Sequence, residues 1–281
     1  MTDLIHDLAR SLDTGAIIPY LGPDMLSLCS DLKIPATPLA LAEMMTGKVS
    51  VPHKIRKRLT QAAQFIENFK HRKSVVHLMN EAFAPTPEPS PLHLALAGSG
   101  AGLLVDTWYD DTLAVALSQT SPTKSWAQVQ GLSQSEHFGN WTGVYGADGS
   151  LLPEMPKDVA RLLYKPIGSH APAGNYLVSD SDYVEVLTEI DIQTPIPAAV
   201  QAWRSGRHFL FLGCRFDDQL TRCFARQIMK RSSDRHWAVL PNEPTRMEAR
   251  FLQEQNITRI DMPLAQFAQA LMEAMQPALA A

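Results

Sequence analysis

The sequence predicts an α/β protein built on a doubly wound, mostly parallel sheet, with a small helical module and an irregular insertion set into it. Three observations predict this. Short apolar runs without polar alternation recur at Ile17–Leu21, Leu103–Val105, Leu162–Tyr164, His208–Leu212, His236–Leu240 and Ile257–Ile260, the signature of strands buried on both faces. Amphipathic stretches of helical length follow several of them, as crossover connections between parallel strands require. The runs also end in glycine or polar clusters at 22–24, 106–111, 165–170 and 213–218. In such folds ligands bind outside the carboxyl ends of the strands, so these four clusters are expected to converge on one crevice.

The elements follow in order. Leu4, Leu8 and Leu12 repeat at helical spacing, giving a helix over 3–13. After the first strand, Gly22 breaks the run, and Pro23 and Asp24 suit the first turn of a helix over 22–30. Thr37 is placed to cap a helix that opens at Pro38 and runs through Met45. Apolar spacing from Ile55 to Phe83 gives two more helices, so residues 37–83 form the helical module. Pro85, Pro87, Pro89 and Pro91 make a stiff extended connector, and a short helix runs from Leu92 to Ala97. Thr112–Leu117 is helical behind the second strand. Residues 119–160 are poor in pattern and read as the irregular insertion, apart from a hairpin of Val144-Tyr145 and Leu151-Leu152 around an Ala-Asp-Gly turn. Helices are predicted from Ser179 through Leu187, from Pro197 to about Gly206, and over 217–230, 244–255 and 263–275.

Bulk properties exclude several function classes. The 281-residue chain has 45% apolar residues and a net charge of −4, which argues against nucleic acid as a bulk electrostatic partner. No apolar stretch is long enough for a membrane span, and the first ten residues lack a signal-peptide core. A cytoplasmic location is expected. Cys29, Cys214 and Cys223 are too scattered for a disulfide framework or a metal cage and read as reduced thiols; no metal is expected. Lys54-Ile-Arg-Lys-Arg58 and Lys70-His-Arg-Lys73 together make one basic segment, read as a solvated helix face or a docking site for an acidic partner.

The four strand-end clusters, in their order, resemble the SIR2-like family of sirtuin-related, NAD-binding, Rossmann-like proteins. The family's opening Gly-Ala-Gly-x-Ser corresponds to Gly22-Pro23-Asp24-Met25-Leu26. Its Thr-Asn-Tyr-Asp corresponds to Thr107-Trp108-Tyr109-Asp110. Its Lys-x-His-Gly-Ser segment corresponds to Lys165-Pro166-Ile167-Gly168-Ser169, followed by an acidic-Tyr stretch at Ser179–Tyr183. Its late strand ending in Gly, then Asp, corresponds to Phe209–Gly213 with Asp217 and Asp218. The order covers about 200 residues. The resemblance implies one SIR2-like domain over residues 1–281, with a cofactor crevice at Gly22, Pro23, Asp24, Thr107, Trp108, Tyr109, Asp110, Gly168, Ser169, Gly213 and Asp217.

In that family the Asn and the His carry the chemistry at the nicotinamide ribose. Here Trp108 and Ile167 stand in their places. Indole offers one N–H donor and isoleucine has no titratable group, whereas general-base catalysis needs a group with a usable pKa. The substitutes within reach in sequence are His170, on the loop after Ile167, and the Asp110–Asp111 pair, which also suits a helix cap and first turn. Asp24 adds a charge of the wrong sign at the phosphate position; two unit charges about 4 Å apart repel by roughly 4 kcal/mol at an effective dielectric of 20. These departures give a non-catalytic SIR2-like protein, with no cofactor, that works by binding another protein as an accessory factor. Nitrogenase is one partner a fainter resemblance suggests. The alternatives are a nucleotide-sensing module for NAD or ADP-ribose, and a weak NAD hydrolase or ADP-ribosyl transferase using His170 or Asp110.

Overall fold

The computed structural model describes residues 2–121, 125–192 and 196–275. A nine-stranded sheet runs through it in the order β11-β10-β9-β1-β2-β6-β3-β4-β5. The first seven strands of that order are mutually parallel: β11 (Ile257–Ile260), β10 (His236–Val239), β9 (His208–Leu212), β1 (Ile17–Leu21), β2 (Leu103–Asp106), β6 (Arg161–Lys165) and β3 (Trp126–Gly131). The chain lays β2 on one side of β1 and later returns to lay β9 on the other. The order therefore reverses at β1, and a crevice opens beyond its carboxyl end.

Side-chain alternation along β1 divides the core between two faces. Ile17 and Leu21 join one cluster with α1 (Thr2–Asp13), α5 (Pro91–Gly98), α6 (Thr112–Thr120) and α11 (Leu264–Met275). Ile18 and Tyr20 join the other, with α2 (Pro38–Lys48), α3 (Leu59–Lys70), α4 (Arg72–Phe83), α9 (Gln219–Met229) and α10 (Arg246–Glu254). All five residues of β1 are buried, as a central strand covered by helices on both faces demands.

The expected helix over 22–30 is corrected to a short 3-10 helix at Pro23–Leu28. Pro23 removes one donor and Gly22 offers no side-chain cap, and only about two turns of 3-10 helix form. The Thr37 cap is present: its Oγ1 accepts from the Ala40 N–H at 3.1 Å. The insertion over 119–160, of which residues 122–124 lie outside the described residues, carries more regular structure than its pattern suggests. It supplies β3, β4 (Thr142–Gly146) and β5 (Leu151–Leu152), and β3 pairs parallel to β6 and antiparallel to β4. The Val144-Tyr145 and Leu151-Leu152 hairpin has the expected pairing, Val144 with Leu152 and Tyr145 with Leu151.

Arg72 pins the helical module to the sheet side. Its guanidinium meets Asp182 at 2.9 Å, Glu136 at 3.2 Å and Glu67 at 3.4 Å, and also bonds the Tyr176 carbonyl. Asp182, buried at the start of α7 (Asp180–Ile192), also accepts from the Val178 and Ser179 N–H groups and the Ser133 hydroxyl. The basic segment expected over 54–73 is thereby split. Its two halves lie at opposite ends of α3, about 16 Å apart along the helix, and Arg72 is engaged within the fold.

Candidate functional site

The crevice beyond β1 and β9 has a volume of about 810 Å³. Gly22, Pro23, Asp24, Thr107, Trp108, Ile167, Gly213 and Asp217 all line it. The structure brings these expected residues together, from four separate strand ends. Tyr109, Asp110, Gly168 and Ser169 lie behind it, buried in the fold.

The turns after β1 and β9 pack directly on each other. The Gly22 N–H donates to the Leu212 carbonyl at 2.9 Å, the Asp24 N–H to the Gly213 carbonyl at 3.1 Å, and the Met25 N–H to the Gly22 carbonyl at 3.2 Å. Pro23 has no N–H. No backbone donor from 22 to 25 is left to face a phosphate. The two glycines serve this contact: a Cβ on Gly22 would lie 2.4 Å from the Gly213 carbonyl oxygen, and one on Gly213, whose φ is +64°, 2.4 Å from the Met25 nitrogen. Asp24 is exposed beside them, its carboxyl shifted above the ordinary range by partial burial. The turn therefore does not fit the pyrophosphate of a dinucleotide, which needs free N–H groups and open glycine faces.

The floor is core. Trp108 is buried, its Nε1 donates to the Pro35 carbonyl at 2.8 Å, and its ring meets Phe83 edge-on at 5.9 Å between centroids. Ile167 packs in the same cluster. The Thr107 N–H and hydroxyl both donate to the Leu21 carbonyl, at 2.9 and 2.8 Å. Neither Trp108 nor Ile167 supplies a base or a free hydrogen-bonding atom to the crevice.

The substitute bases lie elsewhere. The Asp110 Oδ1 accepts from the Thr112 N–H at 2.9 Å, but the expected cap and first-turn roles are each displaced by one residue: Asp111 is the N-cap of α6 and makes no side-chain capping bond, and Asp110 precedes it. Asp111 accepts from the Ser169 hydroxyl at 2.8 Å through Oδ1, and its Oδ2 meets His170 Nδ1 at 3.2 Å. A serine, an aspartate and a histidine thus share one site. Both partners bind the aspartate, however, and not each other, so no imidazole stands ready to take the serine proton. Asp111 raises the His170 pKa above the ordinary histidine value. Neither His170 nor Asp110 lines the crevice. Next to this cluster the buried Lys165 ammonium reaches the Asp106 carboxylate at 2.7 Å and the Asp110 carbonyl at 2.5 Å.

Arg215, Phe216 and Phe224 line the crevice and were not singled out from the sequence, whereas Lys57 and Arg58 belong to the basic segment that was. Arg215 is held by two bonds to the buried Glu248, at 2.9 and 2.8 Å. Glu248 closes a capping box with Thr245 at the start of α10, and the Thr245-x-x-Glu248 spacing is a readable signal for it. Lys57 and Arg58 form the lip on the helical module, joined by Pro38, Leu39 and Leu59. Tyr183, Phe216 and Phe224 complete an aromatic wall. Cys214 is buried, and burial pushes its thiol well above the ordinary range, so it stays an inert thiol. Among the described residues no cluster of three metal-ligating side chains occurs, and no helix is long and apolar enough to cross a membrane.

No curated protein matches the chain. A family model described as "SIR2-like domain" matches residues 102–260, more than half of the chain. This span contains the β2, β6 and β9 ends of the crevice and leaves out the Gly22 turn and the helical module. The α/β sheet, its reversal at β1 and this match agree, and the chain belongs to the SIR2-like family.

Proposed function

We propose that this SIR2-like protein does not cleave NAD and acts instead by binding another protein, as an accessory factor. The observation that carries the reading is that Trp108 and Ile167, which the resemblance sets at the family's catalytic positions, are core side chains, Trp108 tied to Pro35 and Ile167 buried in the same core cluster. The occupied backbone donors at 22–25 support it, because they deny a dinucleotide its phosphate cradle. Nitrogenase as the partner rests on sequence resemblance alone.

Incubating the purified protein with NAD and following nicotinamide by chromatography tests the reading, with His170→Ala beside the parent protein. The reading expects no release above the protein-free blank. Turnover that scales with protein concentration and disappears in His170→Ala would overturn it. The open crevice of about 810 Å³ favours a second reading, a nucleotide sensor for NAD or ADP-ribose. A melting temperature that climbs with ADP-ribose concentration would support that alternative.

A further inference from the structure

We infer that the basic turn at the crevice lip, together with Leu39, is the docking surface for an acidic segment of the partner protein that carries an apolar anchor. This rests on the proposed binding role and names its surface and chemistry.

His53, Lys54, Arg56, Lys57 and Arg58 are all exposed on one short connection between α2 and α3, in a protein whose net charge is −4. Lys57 meets Glu43 at 3.6 Å, with both side chains more than half exposed. Among the described residues no carboxylate pairs with Lys54, Arg56 or Arg58; Arg58 reaches only the Gln61 side chain, at 3.5 Å. The placement also opposes the fold. Lys57 and Arg58 sit at the N-terminus of the 12-residue α3, the positive end of its dipole. Arg58 is the N-cap residue, its side chain makes no capping bond, and the first turn contains no acid. A serine or aspartate there would stabilise the helix. The sequence keeps cations where the helix disfavours them.

Beside the cations, Leu39 is 45% exposed and lines the crevice mouth with Pro38. An apolar side chain seated against these two leaves neighbouring carboxylates beside Lys57 and Arg58. The opposite lip carries Asp24, Asp217 and Asp218, all exposed. Those acids would repel a continuous phosphate backbone crossing the crevice, which favours a protein segment with charge on one side only.

The test uses fluorescence anisotropy of the full chain with three labelled probes at low and physiological salt. The first is a short peptide of alternating Glu and Ser with a central Leu–Leu pair. The second has those leucines replaced by serine, and the third is an oligothymidylate of equal charge. The proposal expects the first peptide to bind best and more weakly at higher salt. Lys57→Ser/Arg58→Ser is expected to lower its affinity about tenfold, and Leu39→Ser several-fold. Arg58→Ser alone should weaken binding while raising the melting temperature by about 2 °C, since it supplies the missing cap. Absence of binding, affinity unchanged in the double variant, or tighter binding of the oligothymidylate would each overturn the proposal. Nicotinamide release is a separate readout: turnover with intact peptide binding would defeat the proposed function and leave the surface standing.

Discussion

The two lips of the crevice differ in how their polar groups are satisfied. On the sheet side, the turns after β1 and β9 bond each other through Gly22, Asp24 and Gly213, and Thr107 bonds Leu21. On the helical side, Lys57 and Arg58 stand in solvent at an uncapped helix start. The first lip is packed as interior, and the second is open to solvent. The binding role and rim surface proposed above rest on this contrast. Four changes break or sharpen this contrast, from the largest expected effect to the smallest.

Trp108→Asn/Ile167→His, which introduces the residues that the family resemblance implies at these positions, removes a buried indole and its bond to Pro35. Loss of a buried tryptophan costs about 3–5 kcal/mol, and the histidine adds a polar group to the core. The variant should unfold at markedly lower urea and still release no nicotinamide, because the turn at 22–25 is unchanged. Arg72→Ala removes one of the ties between the helical module and the sheet side. It leaves Asp182 as a buried charge without its partner, and breaking such a pair costs about 3–5 kcal/mol. Limited proteolysis should then cut first near the α3–α4 corner.

The next test concerns acid. His93 is buried against Ser90, and burial lowers its pKa to about 4. The unfolded chain binds that proton near pH 6.5, so the unfolded state holds more protons between the two values and stability rises with pH there. Stability present above about pH 6.5 should fall by about 3 kcal/mol on acidification towards pH 4. In the urea-midpoint profile His93→Gln should reduce that slope without abolishing it, because burial also lowers the His236 pKa to about 4. Gly213→Ala forces a side chain onto a φ of +64° and against Met25, at a cost of about 1–3 kcal/mol. It should loosen the turn pair without disturbing peptide binding at the other lip.

Much of this fold can be read from residues because the parallel strands are buried on both faces. Ile17–Leu21 and His208–Leu212 are unbroken apolar runs, and their Gly22 and Gly213 ends mark the crevice. Strand β3 hid because Gln128 and Gln130, both buried, interrupt its apolar pattern. The Gln130 amide finds partners only in the fold, at Gln128 and the Ala171 carbonyl. The site divided along the same line. Backbone placement brought Trp108 and Ile167 to the crevice as their spacing implied, whereas Asp110 and Ser169 turned inward to bond Thr112 and Asp111. Those pairings join residues far apart in the chain or depend on side-chain direction, which spacing does not encode. Arg215 escaped notice because its partner Glu248 is 33 residues away.

Calorimetric titration of ADP-ribose into the full chain tests the central claim most directly, since this ligand carries the pyrophosphate without the nicotinamide. With the N–H groups at 22–25 occupied and Asp24 beside them, the expected result is no saturable heat up to millimolar ligand. Saturable one-to-one binding in the micromolar range, lost in Gly213→Ala, would contradict the account.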